Sequence, residues 1–167
     1  MKEISPFELE KNAFKMIGKE WMLITARKGD RVNAMTASWG GAGILWGKPV
    51  MYIFIRPSRF TKPFVDEGSE LSLCVLPEKY RKELNYFGTV SGRDEDKIEK
   101  AGLEIAYEGE VPYFADADTV FVCRKLYAQD MNYESFCDKS VAEKNYADGS
   151  YHTTYVLEIE KVLRQEG

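Results

Sequence analysis

Residues 20–39, EWMLITARKGDRVNAMTASW, contain two β-like runs joined by a short connection with a glycine. The runs are 20–28 and 32–39, and Gly29-Asp30-Arg31 lies between them. Two such runs separated by a few residues that include glycine are typical of an antiparallel hairpin. We therefore predict that the two runs pair as neighbouring strands.

Further β-like runs follow at short intervals along the chain. The run 50–56 is apolar on both faces, as in a strand that is covered on both sides. Residues 153–163 instead alternate apolar and acidic side chains with a period of two. The remaining predicted strands are 71–76, 119–128 and a short run at 103–107.

Helical signals are fewer. Residues 78–87 carry apolar side chains at helical spacing, and 94–101 begin with acidic residues and end before Gly102. Thr61 is a candidate N-cap for a short helix that has Pro63 in its first turn and stops at Gly68.

Closely spaced strands with few helices between them do not fit a doubly wound parallel sheet. They predict a mainly β fold, an antiparallel barrel or sandwich with peripheral helices, folded as one domain over residues 1–167. A closed barrel would also leave no unpaired strand edges.

Composition excludes several classes of function. The chain of 167 residues has 23 basic and 27 acidic side chains, a net charge of −4 that argues against nucleic-acid or membrane-surface binding. The apolar run 50–55 is too short to span a bilayer. Three cysteines without a C-x-x-C motif favour free thiols in a reducing compartment. We therefore expect a cytoplasmic protein without nucleic-acid or membrane partners.

The chain has one histidine, His152, which excludes two-histidine zinc sites and the H-E-x-x-H metalloproteases. We accordingly expect no metal site. Any binding or catalysis must therefore use backbone groups, arginines, hydroxyls and a bound cofactor.

Three segments are candidates for binding. Arg56-Pro57-Ser58-Arg59-Phe60-Thr61 combines two guanidinium groups and two hydroxyls with the start of a helix, which favours an anion, although the arginines could also be solvated surface residues. The strand from Asn33 to Gly41 has small side chains that would let a flat ligand approach the backbone, although an ordinary strand with hydroxyl side chains reads the same way. Ser91 and Gly92 precede a helix that contains Lys97, although helix capping beside a solvated run of charges would explain this pattern equally.

These segments, in this order, resemble the flavin reductase-like family of FMN-binding split-barrel proteins, and most closely its flavoredoxin-type members. The matching stretches are 32–39, 56–61 and 91–97, and the likeness covers roughly residues 15–163. The resemblance implies a six-stranded antiparallel Greek-key split β-barrel that forms a homodimer and binds FMN near the subunit interface.

The resemblance also implies roles for individual residues. One set would line the flavin ring and supply backbone hydrogen bonds; it is Met35, Thr36, Ala37, Ser38 and Trp39. Asn33, on the same strand, would also bind the cofactor. The other set would hold the phosphate end; it is Arg56, Ser58, Arg59, Thr61, Ser91 and Lys97. A flavin carries the redox chemistry itself, which fits the shortage of acid and base side chains.

Two features depart from the family pattern. The Gly-Asp-His turn of the flavin-reducing enzymes corresponds to Asp148-Gly149-Ser150-Tyr151-His152. His152 is therefore either a catalytic residue or a strand-edge histidine without a catalytic role. The acidic and aromatic insertion at 131–146 is either a lid over the flavin or a surface for a partner.

We predict a flavoprotein oxidoreductase that accepts hydride from NAD(P)H and passes electrons to an acceptor. The alternatives are an electron carrier reduced by a partner protein, a non-catalytic phosphate-ligand or flavin-binding module, and a structural β domain without a ligand.

Overall fold

The computed structural model describes residues 1–166 and is mainly β. The strands are β1 (Lys2–Ile4), β2 (Met22–Lys28), β3 (Arg31–Ala37), β4 (Gly41–Leu45), β5 (Lys48–Ile55), β6 (Glu70–Val75), β7 (Ile105–Glu108), β8 (Val111–Phe114), β9 (Thr119–Asp130) and β10 (Thr153–Arg164).

The helices are short and lie between the strands. They are α1 (Ala13–Lys15), which continues as a π-helical turn (Met16–Glu20), α2 (Lys62–Glu67), α3 (Arg81–Thr89), α4 (Lys97–Ala101) and α5 (Lys139–Asn145). Single 3-10 turns occur at Pro6–Glu8, Glu78–Tyr80 and Tyr133–Ser135. None of these helices has the length and apolar character that a bilayer crossing needs.

The main sheet is antiparallel throughout, in the order β3-β2-β6-β9-β10-β5-β4, with β1 added to β10. A separate hairpin is formed by β7 and β8. The mainly β, antiparallel prediction is confirmed. The main sheet has eight strands, two more than the implied barrel, because β1 extends β10 and β4 extends β5.

The sheet curls around one apolar core. Met35 and Ala37 on β3 belong to the same buried cluster as Met51, Ile53 and Ile55 on β5, although these strands are far apart in the order of the sheet. They can share a core only if the sheet bends until β3 approaches β5. No hydrogen-bonded ladder joins the two strands within residues 1–166, so the barrel is split along this line.

A second core covers part of the outside of the barrel. Leu84 and Phe87 of α3 pack with Phe114 of β8 against outward-facing residues such as Leu23 and Cys74. The outer face of β5 differs, because Tyr52 and Phe54 are only partly buried there.

Most predicted elements are present, with shifted ends. The predicted hairpin forms with Lys28 opposite Arg31, so only Gly29 and Asp30 lie in its turn. The predicted helix at 94–101 begins only at Lys97, because the Asp96 side chain accepts the N–H groups of Ile98 and Glu99. Thr61 is the N-cap residue of α2, as predicted, but its side chain makes no capping bond.

Candidate cofactor groove

Two adjoining cavities lie along the split between β3 and β5. The cationic cavity has a volume of about 180 Å³ and is lined by β3, residues 58–61 and residues 89–97. The aromatic cavity has a volume of about 220 Å³ and is lined by residues 35–39 with Phe54, Arg56 and His152. Met35 and Arg59 line both cavities, so together they form one groove.

The structure brings all of the sequence-predicted site residues to this groove. Those in the cationic cavity are Asn33, Met35, Ser58, Arg59, Thr61, Ser91 and Lys97. Those in the aromatic cavity are Met35, Thr36, Ala37, Ser38, Trp39, Arg56, Arg59 and His152. Their roles in binding stay predictions.

Lys97 is the most deeply buried cation of the groove, with 3% of its surface exposed. Its Nζ donates to the carbonyl oxygen of Phe87 at 3.1 Å and lies 5.3 Å from the centre of the Phe87 ring. Burial, and after it the charge of Arg59, lowers the pKa of Lys97 to about 8.

Arg59 is half-buried and donates from Nη1 to the carbonyl oxygen of Gly88 at 3.1 Å. Burial lowers its pKa from the ordinary value, although an arginine stays charged at any physiological pH. Arg59 and Lys97 are thus both held by carbonyl oxygens at the C-terminal end of α3.

Two further arginines flank Phe60 at the rim of the cationic cavity. The guanidinium carbons of Arg31 and Arg93 each lie 4.9 Å from the centre of the Phe60 ring. Arg31 donates to the carbonyl oxygen of Gly92, and Arg93 donates to that of Ser58. These bonds tie three loops of the cavity together.

None of the five cations of the groove forms an ion pair with Asp or Glu in the described part of the chain; they are Arg31, Arg56, Arg59, Arg93 and Lys97. Their hydrogen-bond partners are neutral carbonyl oxygens. Arg56, Arg59 and Lys97 are partly or fully buried, and unneutralised cations at such positions favour the entry of an anion.

Asn33 and Gly92 set the shape of the cationic cavity. Asn33 is buried on β3, and its Nδ2 donates to Oγ1 of Thr61 at 2.9 Å; this bond takes the place of a capping bond by the Thr61 side chain. A Cβ atom at Gly92 would lie 2.3 Å from Oδ1 of Asn33 and 2.9 Å from Cδ1 of Phe60. Only glycine therefore fits at this position without displacing Asn33.

The floor of the aromatic cavity is the end of β3, where small side chains expose the backbone. The hydroxyl of Thr36 donates to the carbonyl oxygen of Leu84 and so attaches the end of β3 to α3. β3 ends at Ala37, two residues earlier than predicted, and Trp39 is 54% exposed at the mouth. The glycines after Trp39 do not open a space, since a Cβ at Gly40 would lie 2.8 Å from the carbonyl oxygen of Tyr52.

His152 lies directly before β10 and has 8% of its surface exposed. Its ring is 5.5 Å from that of Trp39, and its Nδ1 is 2.6 Å from the hydroxyl oxygen of Tyr146. Burial, followed by the nearby charge of Arg56, lowers the pKa of His152 to about 4. The imidazole is therefore neutral at physiological pH and is not a ready proton donor in the imidazolium form.

Arg56 has a different position from the one that the resemblance implies. Its two terminal nitrogens donate to the carbonyl oxygens of Asn145 and Ser150, and its guanidinium lies 4.9 Å from the centre of the Tyr146 ring. It lines the aromatic cavity and not the cationic one. Its donors are committed to the segment between β9 and β10, so its geometry does not support the expected phosphate contact.

The insertion at 131–146 belongs to that same segment. The insertion contains α5, and its Tyr146 belongs to an aromatic cluster. The ring centre of Tyr146 lies 4.8 Å from that of Tyr151 and 5.9 Å from that of Phe136. Through Arg56 and His152 the segment forms one wall of the aromatic cavity.

Several residues that line or flank the groove were not among the predicted site residues. They are Arg31, Phe54, Phe60, Gly92, Arg93 and Tyr146. Gly92 and Arg93 lie inside the matched stretch 91–97, so their position next to Ser91 could have marked them as site residues. Arg31 and Tyr146 reach the groove only through the fold, and no local pattern marks them.

Comparison with known proteins adds a family. A family model described as "Flavin reductase like domain" matches residues 15–167. A high molecular weight rubredoxin of Moorella thermoacetica is 33% identical over 95 residues, which are 56% of this chain and 41% of that protein. This chain thus spans less than half the length of that curated relative.

Solved structures share the fold. An FMN-binding domain of a flavin reductases-like enzyme from Shewanella baltica OS155 superimposes with a TM-score of 0.70 at 14% identity, covering 96% of this chain and 75% of that one. The flavoredoxin of Desulfovibrio vulgaris (Miyazaki F) gives a TM-score of 0.69 at 20% identity, covering 87% of this chain and 69% of that one.

Proposed function

Because the chain belongs to the flavin reductase like family, we propose that it is an FMN-binding oxidoreductase that holds its cofactor in the groove between β3 and β5. The phosphate end of FMN would lie in the cationic cavity, and its ring system would lie in the aromatic cavity. Structural relatives described as FMN-binding support the choice of cofactor.

The observation that carries the proposal is the group of cations without carboxylate partners in and beside the cationic cavity, in a chain of net charge −4. They are Arg31, Arg59, Arg93 and Lys97. A phosphate monoester is close to a dianion at pH 7 and offers three acceptor oxygens. It would neutralise the half-buried Arg59 and the buried Lys97, which both line the cavity. The donor set therefore fits the phosphate of FMN.

The aromatic cavity fits a flat ring. The small side chains of Ala37 and Ser38 leave the backbone of the β3 end accessible, and Phe54 and Trp39 flank it. Bound FMN would supply the redox chemistry, because its ring system takes up and releases a hydride or single electrons. The residues of the chain bind and orient the ring and shield it from water.

Titration with FMN and with riboflavin tests the proposed cofactor site. The two compounds share the ring and the ribityl chain, and only FMN carries the phosphate. We expect FMN to bind at least ten times more tightly, since each charge-assisted hydrogen bond contributes about 1.5–3 kcal/mol. Equal affinities would show that the cationic cavity does not hold the phosphate.

NAD(P)H is the electron donor that we propose. Trp39 is half-exposed at the mouth of the groove, which supports access of a nicotinamide to the ring. Anaerobic mixing of FMN-loaded protein with NADH and with NADPH should bleach the oxidised flavin band within seconds. If neither bleaches it while dithionite does, NAD(P)H is not the donor.

The second candidate is an electron carrier that is reduced by a partner protein. The relative named a rubredoxin supports it, and so does the wall that the segment between β9 and β10 builds beside the aromatic cavity. Loss of NAD(P)H reduction together with fast reduction by a redox protein would favour this candidate. A flavin-binding module without turnover would show neither reaction.

We also propose that the chain forms a homodimer in the cytoplasm. The partly exposed outer face of β5 and the exposed Trp46, which lies against Tyr127 on the same face, support the dimer. Cys74, Cys123 and Cys137 are free thiols, which supports a reducing compartment.

A further inference from the structure

His152 has one ring nitrogen held by the protein and one open to the groove. Nδ1 is hydrogen-bonded to the hydroxyl of Tyr146. Nε2 has no hydrogen-bond partner in the described part of the chain. It is also absent from the set of fully buried side-chain nitrogen and oxygen atoms without a partner, so it is not fully buried. Since His152 lines the aromatic cavity, Nε2 is accessible from that cavity.

The Tyr146 hydroxyl decides which nitrogen carries the proton. Burial raises the pKa of Tyr146, so the phenol stays protonated and has one hydrogen to donate. It lies 2.6 Å from Nδ1 of His152 and 3.6 Å from the sulfur of Met131. A thioether is a weak acceptor and an imidazole nitrogen a strong one. The hydrogen therefore goes to Nδ1, and the neutral imidazole carries its own hydrogen on Nε2.

The surroundings keep this donor neutral and fixed. Arg56, with its guanidinium over the Tyr146 ring, opposes a second proton on the imidazole. The rings of Trp39 and Phe54 lie 5.5 Å and 6.5 Å from the His152 ring and hold it in place. A neutral N–H between aromatic rings suits an uncharged acceptor on a flat molecule.

We propose that His152 is a hydrogen-bond donor for the carbonyl oxygen of a planar ring compound in the aromatic cavity, and that Tyr146 is the residue that positions it. The carbonyl belongs either to the ring of the cofactor or to a second ligand beside it. The first source rests on the proposed function, whereas the tautomer of His152 and the second source do not.

Nuclear magnetic resonance of the full chain labelled with ¹⁵N-histidine tests the positioning role, because the only histidine signals come from His152. We expect the Nε2–H tautomer in the wild type and a mixture of both tautomers in Tyr146→Phe. Tyr151→Phe is the matched control, since Tyr151 stacks on Tyr146 without a hydrogen bond to His152, and it should keep the wild-type spectrum. An Nδ1–H tautomer in the wild type, or an unchanged tautomer in Tyr146→Phe, would overturn the proposal.

The ligand is tested with FMN, with acetophenone and with α-methylstyrene, which has the shape of acetophenone without its carbonyl oxygen. A downfield shift of the Nε2 proton on addition of FMN identifies the cofactor carbonyl as the acceptor. A shift that appears only with acetophenone, and not with α-methylstyrene, identifies a second ligand. In either case the affinity for the effective compound should fall in Tyr146→Phe in proportion to the lost fraction of the Nε2–H tautomer, about twofold for an equal mixture of the two tautomers.

Absence of a shift with both carbonyl compounds would overturn the proposed donor role. Failure of the protein to bind FMN would contradict the proposed function alone, because the tautomer and the acetophenone measurements would still decide this inference.

Discussion

At the scale of single residues, Arg59 is the side chain on which the cationic cavity depends most directly. It lines both cavities and donates to a neutral carbonyl oxygen. We expect Arg59→Ala to weaken FMN binding roughly ten- to 150-fold, since one charge-assisted hydrogen bond is lost. Lys82→Ala, at an exposed position of α3, is the control and should bind FMN as the wild type does. Equal affinity of Arg59→Ala and the control would remove Arg59 from the site.

Lys97 predicts a pH dependence of binding. Its pKa of about 8 in the free protein means that the side chain is charged below pH 8 and neutral above it. A phosphate favours the charged form, so above pH 8 binding must take up a proton, and the affinity for FMN falls by up to about tenfold per pH unit. FMN titrations between pH 7 and pH 9.5 measure this fall. Lys97→Met should bind more weakly at pH 7 and show no such fall, and a wild-type affinity that stays constant to pH 9.5 would contradict the assignment.

At the scale of elements, the turn at Gly92 holds the strand and the helices of the groove in register. We expect Gly92→Ala to displace Asn33, to break its bond to Thr61 and to lower stability by about 1–3 kcal/mol, as overpacking does. Thermal unfolding should show the loss as about 2–4 °C per kcal/mol in a chain of this size. Gly18→Ala is the control, because a Cβ at Gly18 would meet nothing within 4 Å. A Gly92→Ala protein with the melting temperature of the control would contradict the packing argument.

The hydrogen bonds of Arg56 should hold the segment between β9 and β10 in place. Arg56→Met removes the donors to Asn145 and Ser150, so the backbone amides of α5 and of residues 146–151 should exchange their hydrogens faster. FMN affinity should change less than in Arg59→Ala, because Arg56 lies outside the cationic cavity. Hydrogen exchange followed by mass spectrometry measures the change, with β6 as the internal reference. Unchanged exchange in the segment would mean that other contacts hold it.

The elements of this fold were largely predictable because local patterns determine them. The hairpin of β2 and β3 follows from its turn, and the period of two in β10 places Tyr155 and Leu157 in the core. The strand β4 and the helix α5 were not predicted. β4 is rich in glycine and forms because it pairs with β5, and α5 begins with a cap from Asp138 inside a stretch without clear periodicity.

The candidate site also has a part that local sequence patterns predict and a part that only the fold brings together. Its linear part, from Arg56 to Thr61 and from Ser91 to Lys97, was visible as short clusters of charge and hydroxyl groups. The bond from Asn33 to Thr61, the attachment of Arg56 to the segment and the pairing of Tyr146 with His152 join residues that only the fold brings together or orients. Sequence reasoning therefore found the members of the groove more readily than their partners.

At the scale of the whole molecule, the uncovered outer face of β5 predicts self-association. Trp46 is 60% exposed and lies against Tyr127, which shares the outer face of the sheet with Tyr52. Apolar surface of this kind favours burial against a second copy. We expect a mass of two chains by light scattering, where one chain weighs 19.1 kDa, and a shift towards the monomer in Trp46→Glu. Tyr107→Glu changes an equally exposed side chain on β7 and should stay dimeric. A wild-type mass of one chain would contradict the dimer.

The central claim is that the groove holds FMN, and the most direct test is the visible spectrum of the purified protein together with the mass of the compound that heat releases from it. The account predicts a yellow protein that releases FMN, and not FAD, at about one molecule per chain. A colourless protein that also fails to take up added FMN would contradict it.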